Sequence, residues 1–476
     1  MAQSFFWYDL ETSGISPRES RIMQFAGQRT DMNLQPIGEP VNVLVRLSED
    51  ILPDPDAVLL TGITPQATLQ EGLTEAEFCK LFFEQVATPD TIFVGYNTVR
   101  FDDEFMRFLL YRNFYDAYEW QWKDGRSRWD LLDVVRMTRA LRPEGIKWPM
   151  QAGKPTNRLE LITKLNGLDH EAAHDALSDV TATIAVAQLI KDKQPKLFDY
   201  LLSLRGKNDI KKFLAANQTF IYSSGKYSSE VEKTAVVRLL QADDSLALVY
   251  DLRFDPTEFL ALSPKELVKR WQYTKDENAP TRLPVKVMKF NHCPAVSPAG
   301  VLSDEAVQQR LKVDVKTVNV NLAKLTPEFI GNVLKAYELM EGARTEKYAK
   351  EEVEAEAALY GGGFFDDADR NLQAVVRAAE PDELGELAEQ FNDSRLRELL
   401  PHYKARNFAA SLTDEERSAW EQYRYHRLMD GGTSSRLAKF MHRLSELAEK
   451  TDQNGRYVLE ELQLYAESIM PIADID

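Results

Sequence analysis

The chain has 476 residues, 58 of them basic and 75 acidic, for a formal charge of -17. At roughly 150 residues per domain that length implies two to four domains. A hydrophobic content of 44% with 28% charged residues excludes a disordered chain, two cysteines exclude a disulfide framework or thiolate zinc cluster, and no apolar run of about 18 residues offers a membrane-spanning helix.

No basic patch followed by a long apolar region opens the chain, so a cytoplasmic, reducing location is expected. The negative total argues against a nucleic-acid coat, but a local basic surface can still grip a phosphate backbone.

Residues 5–8, Phe-Phe-Trp-Tyr, are a strand-forming apolar run that stops at Asp9. Further strands are expected at about 22–30, 41–47 and 91–96, with helices at about 74–87, 102–114, 158–166 and 175–191. In the last helix Leu177, Val180, Ile184 and Ala187 recur at three and four, which makes one buried stripe. Strands followed by alternation with helices predict an α/β layer fold for residues 1–193.

Residues 194–355 read as a second, β-rich domain with helical insertions. Strands are expected at 232–240 and 245–252, joined by a hairpin connection at 241–245, with more at 284–290 and 312–320. Between 261 and 290 seven basic residues stand against three acidic ones, opposite to the sign of the whole chain. That segment is expected to contact phosphates.

Tyr360-Gly-Gly-Gly363 reads as a hinge or helix stop, and residues 356–476 as a helical domain. Its helices are expected at about 366–380, 394–400, 413–428 and 434–469. The 14 acidic and four basic residues of 351–400 read as a solvated helical face.

Chemistry concentrates in five side chains of the first domain. Asp9 and Glu11 stand at i and i+2 after a strand, so their carboxylates share one side. Such a pair is costly without a cation between its members, and oxygen ligands suit Mg²⁺ or Mn²⁺. Asp102 opens a helix after a strand and a loop, with Phe101 available as an anchor and Asn97 able to tie the loop. Asp179 lies on the helix with the apolar stripe, and His174 stands five residues earlier at its mouth.

Each piece alone has a bland explanation: an exposed acidic pair, acids favoured by a helix dipole, a loop histidine. Together, four carboxylates and a histidine on three elements of one domain point to two divalent ions about 4 Å apart acting on a phosphodiester. On this reading Asp9 bridges both ions, Glu11 and Asp179 complete one shell, Asp102 helps hold the other through water, and His174 takes a proton from the attacking water. Tyr96, Phe101, Trp129 and the aromatic cluster 111–118 are candidate walls for stacked bases.

The strings Phe-Trp-Tyr-Asp9-Leu-Glu11-Thr12, Gly95-Tyr-Asn97-x-x-x-Phe101-Asp102 and His174-x-x-x-x-Asp179 resemble the three motifs of the DnaQ-like exonuclease family, in its DEDD branch with a histidine. Leu60-Thr61-Gly62-Ile63-Thr64 resembles a further stretch of that family. The resemblance implies a ribonuclease-H-like domain and 3′→5′ hydrolysis to nucleoside 5′-monophosphates with two Mg²⁺. Asp9, Glu11, Asp102 and Asp179 would be the ligands and His174 the general base. Thr12, Asn97 and Phe101 would meet the substrate, and Asp103 matches no ligand position.

Across most of the chain the layout also resembles the bacterial exodeoxyribonuclease I family. The strings include Ser127-Arg-Trp-Asp-Leu-Leu-Asp133, Ala140-Leu-Arg-Pro-Glu-Gly145, Asn291-His-Cys-Pro294 and Gly363-Phe-Phe-Asp-Asp-Ala-Asp369. That resemblance implies an SH3-like β domain and a C-terminal helical domain after the nuclease domain. It also implies single-stranded DNA as substrate, a role in DNA repair and recombination, and a monomer. A further partner would be the acidic C-terminal tail of the single-stranded-DNA-binding protein, at Arg142 and Tyr200. One departure is Ser13 before Gly14, where family members can carry a phenylalanine; a serine cannot stack on a base. Two other functions fit the motifs: a 3′→5′ exoribonuclease trimming RNA ends, and a non-catalytic replication or repair adaptor on a decayed nuclease fold.

Overall fold

The computed structural model describes residues 2–168, 175–272, 275–276, 280–350 and 353–471, apart from the side chains of 348–350. His170 and His174 therefore lie outside the described residues.

Strand β1 (Ser4–Thr12) is central in the first sheet and buried on both faces. Its side chains alternate: Phe5 and Trp7 enter one core, Phe6, Tyr8 and Leu10 the other. With β2 (Ile22–Thr30), β3 (Val41–Leu44), β4 (Thr91–Gly95) and β5 (Ser127–Asp130) the order is β3-β2-β1-β4-β5. β3, β2 and β1 run antiparallel, while β4 and β5 continue parallel to β1.

Helix α1 (Asp102–Arg112) packs Phe105, Met106 and Leu109 into the Phe6–Tyr8 core. Helices α2 (Leu131–Leu141) and α3 (Ala176–Lys193) fill the Phe5–Trp7 core with Val134, Val135, Val180 and Val186. This is the expected ribonuclease-H-like arrangement.

The second sheet joins β6 (Thr219–Ser223), β7 (Thr234–Ala242), β8 (Leu246–Asp251), β9 (Val285–Lys289) and β10 (Ala295–Pro298) in the order β9-β8-β7-β6-β10, antiparallel throughout. The expected strand at 312–320 is instead part of helix Val315–Lys324. Asp314 decides this, because its carboxylate accepts from the Lys316 and Thr317 amides and caps a helix over the β propensity of the valines. The long pattern at 434–469 likewise divides into Arg436–Ala448 and Gln453–Ser468, where Asp452 accepts from the Gly455 amide at 2.9 Å.

Both later domains share core with the first. Met137 and Leu141 of α2 lie in one cluster with Ile221, Val236 and Leu248, and Phe108, Tyr111 and Phe114 pack with Leu396, Leu399 and Tyr403. A buried ionic network adds to the second contact. Arg406 reaches Asp50 at 2.8 Å and Glu356 at 2.6 Å, His402 meets Glu356 at 2.7 Å, and Arg427 approaches Asp50 at 3.4 Å. The acidic stretch 351–400 is thus not wholly a solvated face, since Glu356 and Asp369 are buried.

Despite burial, which acts the other way, the arginines hold Asp50 well below the carboxylate range, and Arg406 and His402 hold Glu356 at about 2. A depressed folded pKa gives stability that is complete above the unfolded value near 4 and lost as pH falls toward 2. The melting temperature should therefore drop as pH is lowered from about 5 to about 3. Glu356→Gln should flatten part of that drop and cost about 3–5 kcal/mol at neutral pH, because it leaves buried cations unpaired. A melting profile of identical pH slope in the variant would contradict this.

Candidate active site

β1 pairs with β4 only as far as Trp7 opposite Val94, so Asp9 and Glu11 run beyond the end of β4. They extend the face of Phe5 and Trp7, toward α3. The pairing with β2 shifts register between Glu11 and Thr12, an irregularity that re-aims the chain at the pocket. Asp179 stands in the first turn of α3, whose N-cap Asp175 accepts from the Ser178 amide at 2.9 Å. Carboxylate oxygens of Asp9, Glu11 and Asp179 all lie within 4.8 Å of one another.

Asp102 opens α1 and is buried. It joins the group electrostatically, raising the pKa of Asp9, and is itself raised by Glu11. Burial is the largest cause for each acid and mutual repulsion adds to it: Glu11 is pushed up to about 9, Asp102 to about 8, and Asp9 well above its usual range. Among the described residues, neither Asp9 nor Glu11 takes part in an ion pair. A hard divalent ion fits this set, because all the donors are carboxylate oxygens and their repulsion is what a cation removes.

The other expected residues are placed as follows. Thr12 is buried, and its hydroxyl donates to the Gly14 carbonyl at 2.8 Å. Asn97 lines the same cavity as Asp9 and Asp179, with φ at +74°. Its side chain does not tie the loop as expected. Asp130 does so instead, accepting from the amides of Asn97, Val99 and Leu132. Phe101 is half-buried and packs 5.0 Å from Phe105. Arg142 is exposed just past the end of α2. Tyr200 is half-buried, and among the described residues its hydroxyl has no hydrogen-bond partner.

Ser13 is turned inward, where its hydroxyl accepts from the Arg21 amide at 2.8 Å, while Ile15 is 83% exposed. Of the expected aromatic walls, Tyr96 lines the cavity, but Trp129 and Tyr111 are core residues.

Sequence reasoning missed the basic rim of that cavity of about 670 Å³: Arg136, Lys154, Arg158 and Lys233. Lys154 lies on a short hairpin, Met150–Gln151 with Lys154–Pro155, whose signal was Ala152-Gly153, and Arg158 follows it at the start of helix Leu159–Asn166. A larger cavity of about 1070 Å³ lies where the three domains meet, lined by Arg128, Arg205, Lys289 and Arg344 with the exposed rings of Trp122 and Phe364. Of the basic segment 261–290, Lys289 reaches it.

A ribonuclease-H-like sheet with acids converging beyond its central strand defines the exonuclease class, and residues 6–187 match the family model described as Exonuclease. Residues 205–338 match the Exonuclease I SH3-like domain and 353–469 the Exonuclease I C-terminal domain. The chain is 39% identical to exodeoxyribonuclease I of Haemophilus influenzae over 97% of both chains. It is similar to the solved structure of a moderately thermophilic exonuclease I from Methylocaldum szegediense, at 40% identity and TM-score 0.89 over 98% of this chain and 100% of that one. It is also similar to the zinc-bound E. coli exonuclease I–single-stranded DNA complex, at 36% identity and TM-score 0.90 over the same shares. The chain belongs to the exodeoxyribonuclease I family.

The raised acids carry a stability consequence in metal-free protein. A group whose folded pKa is raised loses stability as pH climbs from the unfolded value through the folded one, here from about 4 to between about 8 and about 9. Asp179→Asn removes one repelling charge. In EDTA it should melt close to wild type near pH 5 and higher at pH 8, by roughly 2–4 °C for each 1 kcal/mol relieved. An equal or lower melting temperature at pH 8 would show that the acids do not strain the fold.

Proposed function

We propose that the acidic pocket hydrolyses the 3′-terminal phosphodiester of DNA with two divalent ions, Mg²⁺ or Mn²⁺, and releases nucleoside 5′-monophosphates. By family the protein is a single-strand-specific 3′→5′ DNA exonuclease, as used in DNA repair and recombination. The convergence of Asp9, Glu11 and Asp179 within 4.8 Å, with no cation paired to Asp9 or Glu11 among the described residues, carries the reading of the chemistry.

Asp9, Glu11, Asp102 and Asp179 would hold the ions. When bound, the ions would neutralise phosphate charge and stabilise both the entering and the leaving oxygen. The chain's own residues do the rest. His174 accepts the proton of the attacking water, which requires its neutral imidazole. Asn97, which lines the cavity, would orient the terminal nucleotide, with Thr12 and Phe101 as its further contacts. The basic rim of Arg136, Lys154, Arg158 and Lys233 supports binding of the phosphates near the 3′ end. The larger cavity, with its cations and exposed rings, suits the strand farther upstream, where stacking tolerates any base.

Arg142 and Tyr200 would contact the acidic tail of the single-stranded-DNA-binding protein, and the working unit would be a monomer. Among the described residues no helix is long and apolar enough to cross a membrane. The proposed location is the cytoplasm.

End-labelled single-stranded and duplex DNA, incubated with Mg²⁺ or EDTA, test the whole reading. The expected result is a ladder shortening from the 3′ end, only on the single strand and only with metal. Asp9→Ala and Asp179→Ala should nearly abolish it while the protein stays folded. His174→Ala should slow it by roughly 10²–10⁴-fold. Undiminished turnover of His174→Ala, with chemistry limiting and Mg²⁺ saturating, would assign the base elsewhere.

A further inference from the structure

Two sequence features remain without a role: the second acid of Phe101-Asp-Asp-Glu104, and Asn291-His-Cys-Pro294. Asp103 is 1% exposed and accepts hydrogen bonds from the Tyr8 hydroxyl and the Arg128 guanidinium. Tyr8 immediately precedes Asp9 but points to the opposite face of β1, into the core that α1 covers. Asp103 immediately follows Asp102 in the first turn of α1. The Tyr8–Asp103 bond thus fastens the strand that carries Asp9 to the helix that carries Asp102, from the side of the sheet away from the pocket.

Arg128, on β5, extends this fastening into the second domain. Its Nη2 donates to the Asn291 carbonyl at 2.7 Å, and the Cys293 thiol donates to the Arg128 carbonyl at 3.4 Å. The otherwise unassigned Asn291–Cys293 turn therefore holds the arginine at both its head group and its backbone.

We propose that Tyr8, Asp103 and Arg128 are positioning residues that set the spacing of the metal-ligand carboxylates, and that the SH3-like domain supports the active site through Arg128. The physical basis is mechanical. Asp9, Glu11, Asp102 and Asp179 repel one another, and only rigid neighbours keep them at coordinating distance before an ion arrives. Tyr8 and Asp103 bear directly on two of the ligand-carrying elements. They are buried in the opposite core, so they act on the reaction only through their neighbours. Loosening an outer partner of a metal ligand weakens metal binding by roughly 10–100-fold in general.

The proposal rests on the metal-binding reading above, and the test separates the two. Mn²⁺ binding to the full chain is titrated by electron paramagnetic resonance for wild type, Tyr8→Phe, Arg128→Gln, Arg128→Lys and the ligand variant Asp9→Asn. Hydrolysis of a short single-stranded oligonucleotide gives kcat and KM at each Mn²⁺ concentration, and melting reports the fold. Tyr8→Phe and Arg128→Gln are expected to bind Mn²⁺ about 10-fold more weakly. In Tyr8→Phe kcat at limiting metal should fall while KM for the oligonucleotide holds; Arg128→Gln, whose arginine also lines the larger cavity, is read by its Mn²⁺ affinity, and Arg128→Lys should recover part of that loss.

Mn²⁺ affinity and kcat within twofold of wild type in Tyr8→Phe would overturn the proposal, whatever happens to the melting temperature. Tyr8→Phe decides alone if Arg128→Gln does not fold, because it removes one oxygen and no charge. A wild type that titrates like Asp9→Asn would instead sink the metal-binding reading, and this proposal with it.

Discussion

Mutual repulsion of buried carboxylates is the constraint on which the molecule is organised. Two full charges 4.8 Å apart repel by about 3–4 kcal/mol at an effective dielectric of 20, and this pocket gathers more than two. A soft frame would relieve that force by moving. β1 cannot move easily, because aromatic side chains fill the cores on both of its faces. The loop between β4 and α1 cannot either. Asp130 binds three amides in and around it, and a Cβ on Gly95 would sit 2.0 Å from the Thr98 side chain, so the chain there is already at its closest approach. The rigidity is local and is built from ordinary packing and hydrogen bonds.

Much of this was legible in the sequence because it depended on short-range patterns. The i, i+2 placement of Asp9 and Glu11 after an apolar strand, and the three-four stripe on α3, follow from backbone periodicity alone. The meeting of Asp9 and Asp179 was legible only as a motif, since nothing in either segment encodes the 169 residues between them. What was not legible was decided by single polar contacts. Asp314 makes a helix of a valine-rich segment, and Asp130, rather than Asn97, secures the loop. Ser13 could be read as the loss of a stacking ring. It could not be read as a hydroxyl that turns inward to the Arg21 amide and leaves Ile15 as the exposed side chain of that loop. The basic rim of the cavity comes from three separate stretches of the chain, so no local run of charge announced it.

Two of the chain's clusters of buried carboxylates are treated in opposite ways. Asp50 and Glu356 are surrounded by Arg406, Arg427 and His402, and their pKa values fall. Asp9, Glu11 and Asp102 are buried comparably, and their pKa values rise. Arg21 immediately precedes β2, beside the end of β1. Yet its guanidinium turns to Asp50, Glu75 and Glu356. A fold under selection for stability alone would gain by supplying a cation to the pocket or by replacing its acids with apolar residues. Among the described residues neither has happened at Asp9 or Glu11. Acids that are purely structural have no reason to stay unpaired in this way, whereas acids that must receive a hard cation cannot have a fixed one of their own.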